Sequence, residues 1–309
     1  MKSLRWLALL HFVLVAAISS AAAPPESSPT FPVKVEKDIP YSTANGEKLM
    51  LDLAAPTEGG PFPAVLLLHG GAWSVGNRGE LSRRTRDKNG KATPSLIEQV
   101  AAHGYVAVTA SYRLAPKYKF PAQIEDARTA VRFLRANAKK YNIDPAKIAA
   151  GGFSAGGHLA LLLGTAEKKD FHDTEYPDQS SRVQCVVDFF GPTDLSLYGA
   201  SEGIEDTYMV PWLGKACKTD SAVYKRASPI DYVTKDDPPV LMIHGTADVI
   251  VPIIHSERML KKLHEAGVKA ELIAVKGEGH GWSGPEAAKT IREAIQFLDE
   301  HLKGKKRDK

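Results

Sequence analysis

Two cysteines, Cys185 and Cys217, are all that this chain of 309 residues contains. That excludes a disulfide-stapled scaffold, and a chain of this length must fold around a hydrophobic core instead. Cys185 lies in the apolar run VQCVVDFF and is expected in the core; Cys217 lies in a polar loop. An oxidising compartment would permit a bridge between them, but the strict geometry of a disulfide disfavours it. An excess of charge of either sign is also lacking. The formal net charge is +4, and no basic patch interleaved with aromatics is present, so nucleic acid is set aside as a partner. Beyond the N-terminus no apolar run is long enough to cross a bilayer, which argues against stable membrane association. Repeats of the kind that build propellers are missing as well.

What is present begins with a three-part N-terminus. Lys2 and Arg5 precede the apolar run WLALLHFVLVAAI, and SSAAA follows it. This is the pattern of a secretory signal peptide over 1–23, with cleavage after Ala21, Ala22 or Ala23. An uncleaved anchor is the competing reading, disfavoured by the shortness of the run. Cleavage removes Lys2 and Arg5 and no acidic residue, taking the formal charge from +4 to +2. The mature protein is then expected to be secreted or periplasmic. Residues 24–32 read as a flexible lead-in, 33–303 as the folded domain with an insert at about 192–237, and 304–309 as a basic tail.

The domain alternates strands and helices. FPVKVEKDIPYS and KLMLDLAAP alternate with period two around TANGE and predict an antiparallel hairpin. AVLLLHGG, YVAVTASY, KIAAGGFS, VQCVVDFFGP, PVLMIHGTAD and KAELIAVKG read as buried strands. Between them lie helical patterns, including TPSLIEQVAAHG with an expected Thr cap and Pro at its start, and PEAAKTIREAIQFLDEHL at the end. The fold class is therefore α/β: a mostly parallel sheet with an antiparallel N-terminal edge and helices on both faces. Two inserts interrupt the alternation. Ser74–Lys91 is basic, and the 192–237 insert is rich in aromatics. Both follow strand C-terminal ends, the edge where open α/β sheets bind ligands.

Gly152-Phe153-Ser154-Ala155-Gly156 matches G-x-S-x-G between a strand and a helix. A sharp turn there strains the backbone at the serine, and the flanking glycines relieve clashes. The competing reading is a Gly-rich turn with a capping serine. A serine hydroxyl needs a base, and the base needs an orienting acid. His280, framed by glycines in a late loop, is the preferred base. His103, His255 and His264 fall in helical patterns, His158 lies just inside a helix, and His69 and His244 end strands, where backbone hydrogen bonds are expected. Asp248 is preferred as the acid by the order Ser–Asp–His. Asp194 is its rival, and Glu278 lies too close to His280 in sequence. The glycines of HGGAW let Gly71 and Ala72 N–H groups turn inward, and with Ala155 N–H they can surround an oxyanion. Trp73 and Trp212 are candidate substrate-binding aromatics. The insert aromatics have two readings, a platform for sugar rings or the insert's own core. The segment RGELSRRTRDKNGK is either a contact for acidic polysaccharide or a solvated loop.

Taken together, HGGAW, SYRLAP, GGFSAGGHLALLL, FFGPTDL, HGTADVIVP and GEGHGW resemble the α/β-hydrolase superfamily. Within it the chain is similar to the esterase branch of bacterial acetylxylan and feruloyl esterases, close to hormone-sensitive-lipase-like esterases. The resemblance implies an α/β-hydrolase fold with a small insert over the site. It also implies Ser154 as nucleophile, His280 as base and Asp248 as its partner, with no metal or organic cofactor. Ala72 stands where lipase-like members usually carry a third glycine, and its methyl group would favour small acyl groups. The function so implied is removal of acyl groups from acylated carbohydrate. A general short-chain carboxylesterase acting on small esters, or a lipase, is the first alternative. A peptidase lacks its propeller here, secretion argues against a kynurenine-formamidase-like activity, and a non-catalytic binding protein would commonly have lost part of the triad.

Overall fold

The computed structural model describes residues 30–86, 89–167, 169–172, 175–200 and 202–305. The signal-peptide reading, over 1–23, lies outside the described residues, as do most of the lead-in and the end of the basic tail. An antiparallel hairpin opens the fold: β1 (Val33–Ala44) and β2 (Glu47–Pro56). Asn45 and Gly46 turn between them with φ of 51° and 79°, the left-handed pair that a tight hairpin demands. Phe31, read with the lead-in, is instead held against the domain. Its N–H donates to Ala102 O, and its ring packs edge-on against Phe62.

Six further strands complete one sheet: β3 (Phe62–Leu68), β4 (Val106–Ala110), β5 (Ile143–Phe153), β6 (Val186–Phe189), β7 (Val240–Gly245) and β8 (Ala270–Val275). The spatial order is β1-β2-β4-β3-β5-β6-β7-β8. Only the pairings within the N-terminal edge, β1 with β2 and β2 with β4, are antiparallel. The continuous apolar runs of β3 and β4 are buried throughout, as strands covered on both faces must be. From β3 the chain moves outward to β4 and then returns to β5 on the other side. The crevice at this reversal is where an open α/β sheet offers its ligand site. Both HGGAW, which follows β3, and the serine turn, which follows β5, open onto it.

Helices cover both faces. Ile124 of α2 (Ala122–Ala136), Leu159 of α3 (Ala155–Thr165) and Met259 of α4 (Ile254–Glu265) join one core cluster. Ile97 of α1 (Leu96–Ala102) and Phe297 of α5 (Gly284–Lys303) join the other. The start of α1 corrects the expected Thr cap. Ser95 is the N-cap, and its backbone N–H donates to Glu98 Oε2 at 2.9 Å; Pro94 stays outside the helix. A carboxylate three residues after a serine closes this box, and Thr93 has no such partner. Among the described residues no helix is long and apolar enough to cross a membrane. Both cysteines are free; Cys185 is buried and Cys217 half-buried.

The inserts have structure of their own. In the first, Arg78 pairs with Asp38 and Asp52, and Arg84 pairs with Glu98. Two of its arginines are thereby paired with carboxylates of the domain. The 192–237 insert is a chain of short helical segments whose Tyr198, Trp212 and Tyr224 are buried. These three join the core cluster that the sheet and its helices share, and offer no platform to solvent.

One buried carboxyl lies under the sheet's ligand edge. Asp188 Oδ1 accepts the N–H of Gly191 at 2.9 Å, and Oδ2 has no hydrogen-bond partner among the described residues. Burial pushes its pKa up from 3.8 to about 7, outweighing the Gly191 hydrogen bond that would lower it. The native state thus holds a proton that the unfolded chain releases, and stability must fall as pH rises through this window. The stability of the wild type relative to Asp188→Asn should fall between about pH 4 and pH 7, by about 1.4 kcal/mol per pH unit at the steepest. Urea denaturation of both proteins across this range measures it, and a difference independent of pH would show that Asp188 is ionised throughout.

Candidate active site

The serine turn is built by exclusion of side chains. Ser154 has φ 54° and ψ −119°, a region that non-glycine residues rarely occupy. Its N–H is tied to Phe189 O at 2.8 Å. A Cβ on Gly152 would fall on the Gly156 carbonyl, and one on Gly156 would fall on Leu68 O. The two glycines therefore let β5, the start of α3 and the end of β3 close on one another. This holds the Ser154 hydroxyl at the N-terminus of α3, where the helix dipole favours negative charge.

His280 and Asp248 arrive from two later loops. His280 Nε2 lies 2.9 Å from Ser154 Oγ, and His280 Nδ1 lies 2.7 Å from Asp248 Oδ2. The remaining oxygen, Asp248 Oδ1, accepts N–H donors from Ile250 and Val251, both at 2.9 Å. Burial pushes the Asp248 pKa up, but hydrogen bonds from His244, His280 and the Val251 amide outweigh it and hold the carboxyl well below the usual carboxylate range. Asp248 therefore stays ionised and keeps the Nδ1 proton of His280 directed at itself. Phe190 sets its ring edge against the His280 imidazole at 4.8 Å.

The rival acid is turned away. Asp194 Oδ2 binds Arg258 Nη1 at 2.7 Å, and Oδ1 accepts the Ser196 hydroxyl at 2.5 Å. Glu278 contributes its carbonyl, which accepts the N–H of Ala247. Four other histidines lie away from the Ser154 hydroxyl and are buried. His158 Nε2 donates to Ala227 O at 2.6 Å, and burial lowers its pKa to about 3. His69 stacks on Tyr112 and contacts Gly70 O, and burial lowers it to about 4. His255 Nδ1 accepts the N–H groups of Thr193 and Asp194. His244 contacts the Val251 carbonyl as expected, and it also faces Asp248. Among the described residues no three His, Cys, Asp or Glu side chains group so as to hold a metal ion.

The loop after β3 is as strained as the turn. Gly71, Ala72 and Trp73 have φ of 106°, 48° and 58°. A Cβ on Gly71 would strike Val75 O, so only glycine fits there. Three consecutive positive φ values need an outside hold, and Trp73 supplies it. Its indole N–H donates to His158 Nδ1 at 3.2 Å, and its ring stacks on Trp212 at 3.6 Å and 5°. Trp212 N–H in turn donates to Gln123 Oε1 at 2.9 Å. The expectation that Trp73 and Trp212 contact substrate is thus corrected. Both are buried, and each covers a face of the other. They staple the loop after β3 to the serine helix and to the insert, a role that a list of aromatics does not reveal.

The BD-FAE family model matches residues 51–263. The chain belongs to the BD-FAE family. The match contains Ser154 and Asp248 and ends before His280. Among curated proteins the chain is similar to the esterase LipC of Mycobacterium tuberculosis, 30% identical over 74% of this chain and 55% of that protein. It is similar also to that organism's probable carboxylic ester hydrolase LipM, 29% identical over 78% and 55%. It therefore spans about half the length of these relatives. Among solved structures, a truncated carbohydrate esterase from gut microbiota superposes with TM-score 0.73 and 28% identity, over 91% of this chain and all of that one. The propionate-bound esterase Est2 of Thermogutta terrifontis gives 0.68 and 27%, over 89% and 96%. The BD-FAE chain thus has the α/β-hydrolase fold, as the sheet order and these neighbours agree.

Replacing a buried, stacked indole should cost stability in the first place. Trp212→Ala is expected to lose about 3–5 kcal/mol, as for other fully buried aromatics, with a lowered melting midpoint in calorimetry. An unchanged midpoint with a raised KM for oligosaccharide alone would restore the surface-platform reading.

Proposed function

We propose that this BD-FAE protein is a serine carboxylic-ester hydrolase. The observation that carries this is the unbroken run Asp248–His280–Ser154, with links of 2.7 and 2.9 Å. Both lie within the reach that a nucleophile, base and orienting acid require. His280 Nε2 takes the Ser154 proton as Oγ attacks the ester carbonyl. The N–H groups of Gly71, Ala72 and Ala155 receive the oxyanion. His280 returns the proton to the departing alcohol, then activates water to release the acid from the acyl-enzyme. Loss of one oxyanion donor typically costs about 2.7–4 kcal/mol of barrier.

The finer reading is deacylation of acylated plant carbohydrate, with acetyl or feruloyl groups removed outside the cytoplasm after signal-peptide cleavage. The carbohydrate esterase among the structural neighbours supports the first half, and the composition of residues 1–23 supports the second. A general short-chain esterase is the second reading. It is favoured by the exposed apolar side chains Val75 and Val249, on loops at the sheet's ligand edge, and by burial of the aromatics that a sugar would need.

Ser154→Ala should abolish covalent labelling by a fluorophosphonate and lower hydrolysis of p-nitrophenyl acetate at least about a thousandfold, as loss of a catalytic serine does elsewhere. Labelling that survives the substitution would remove the triad reading. Serine-dependent acetate release from acetylated xylo-oligosaccharides would support the carbohydrate reading. Cleavage of the nitrophenyl ester without that release would leave the short-chain esterase.

A further inference from the structure

The polar groups behind Asp248 form a closed ring that the reaction itself does not use. His244, at the end of β7, is fully buried. Its Nε2 lies 2.7 Å from Val251 O and 3.3 Å from Asp248 Oδ2. Both neighbours are acceptors, so Nε2 carries the proton and shares it, mainly with the carbonyl. Val251 N–H in turn donates to Asp248 Oδ1 at 2.9 Å. The carboxylate, the imidazole and the Val251 peptide thus close on one another. On the far side of the ring, His244 Nδ1 lies 2.7 Å from Ser256 Oγ, in the first turn of α4. In the neutral imidazole with its proton on Nε2, Nδ1 is an acceptor, and the Ser256 hydroxyl donates to it.

We infer that His244 is a positioning residue for the acid of the triad, fixed in tautomer and orientation by Ser256; this rests on the serine-hydrolase reading above. Asp248 Oδ1 has two backbone donors, so it is held on that side by its own loop. Oδ2 must face His280, and His280 sits on a different loop. Without a second contact at Oδ2, rotation about the Cβ–Cγ bond would be limited only by His280 itself. The His244 proton lies on the buried side of Oδ2 and limits that rotation from within. It also grips Val251 O, the far end of the loop that bears Asp248. Because His244 stands at the end of β7, a strand paired on both sides, the acid is referred to the sheet and not to its loop. The 3.3 Å approach of His244 Nε2 to Oδ2 is longer than its bond to Val251 O, but polar contacts to a charged group are worth more than those between neutral groups, so losing it should be felt at the serine.

The test uses the full chain and p-nitrophenyl acetate, with His244→Leu, His244→Gln and Ser256→Ala beside Ser154→Ala. Leucine fills the space without a donor. Glutamine can place an amide N–H near the Nε2 position. His244→Leu should lower kcat roughly 10–100-fold, the range for a lost hydrogen bond to a charge, with KM unchanged, since substrate does not touch it. His244→Gln should recover most of that loss at a similar melting midpoint. Ser256→Ala should lower kcat by less and in the same direction. A purely structural role predicts otherwise: Leu and Gln would track the melting midpoint, with no separation of kcat from KM. A folded Leu variant within about threefold of wild-type kcat, or a Gln variant no better than Leu, would overturn the inference. If the Leu variant does not fold, unchanged kcat in Ser256→Ala overturns it instead. Ser154→Ala keeps the two readings apart. Turnover that survives it removes the triad itself, whereas turnover lost there but intact in the His244 and Ser256 variants removes only this inference.

Discussion

The backbone at Ser154 is the constraint on which the rest of the molecule depends. A residue with a side chain is held at φ 54°, where steric contact opposes it. It stays there because three chain segments have been brought together without side chains between them, by Gly152, Gly156 and the end of β3. The same closeness sets the loop after β3 beside the helix N-terminus. It also demands a sheet whose order reverses at this place, since only then do the connections leaving β3 and β5 part and leave a crevice. The strain is local, and it is sustained by burial spread over both faces of the sheet.

Around that turn the polar groups are sorted by burial and partner. Asp248 is kept ionised by the donors that surround it, although burial alone would push it the other way. His158 and His69 are kept neutral by burial, at about 3 and about 4. They can therefore serve as fixed hydrogen-bonding pieces without competing for the proton that His280 would carry. Asp188 is the counter-case, a carboxyl so enclosed that its proton is retained to about pH 7. Similar side chains thus take different tasks within one layer of the protein, and what separates them is the number of donors within reach.

Much of this was legible in the chain itself. The buried strands declare themselves as short apolar runs closed by glycine, and the hairpin by Asn45-Gly46. Ser154, Asp248 and His280 stand out because the serine motif lies between a strand and a helix and the others follow in order on late loops; the structure brings the three together. Other features were hidden for definite physical reasons. Thr93-Pro94 looks like a helix start until Glu98 is seen to close on Ser95. Phe31 reads as linker because a single aromatic carries no periodicity. Trp73 and Trp212 read as platforms because a sequence shows that a ring exists but not what covers its faces. His244 and Asp248 are four residues apart on a strand end and a loop, a spacing that alone does not say whether the two side chains meet.

The stack of Trp73 on Trp212 has an optical consequence. Two buried indoles held face to face at 3.6 Å sit in a fixed asymmetric setting, so the native near-ultraviolet dichroism includes a band from the pair that mobile rings would not give. One ring belongs to the loop after β3 and the other to the helical insert. The band therefore lasts only while the insert is seated on the sheet. Loosening of this roof and melting of the sheet beneath it become separable events, the first seen in the aromatic region of the spectrum and the second in the peptide region.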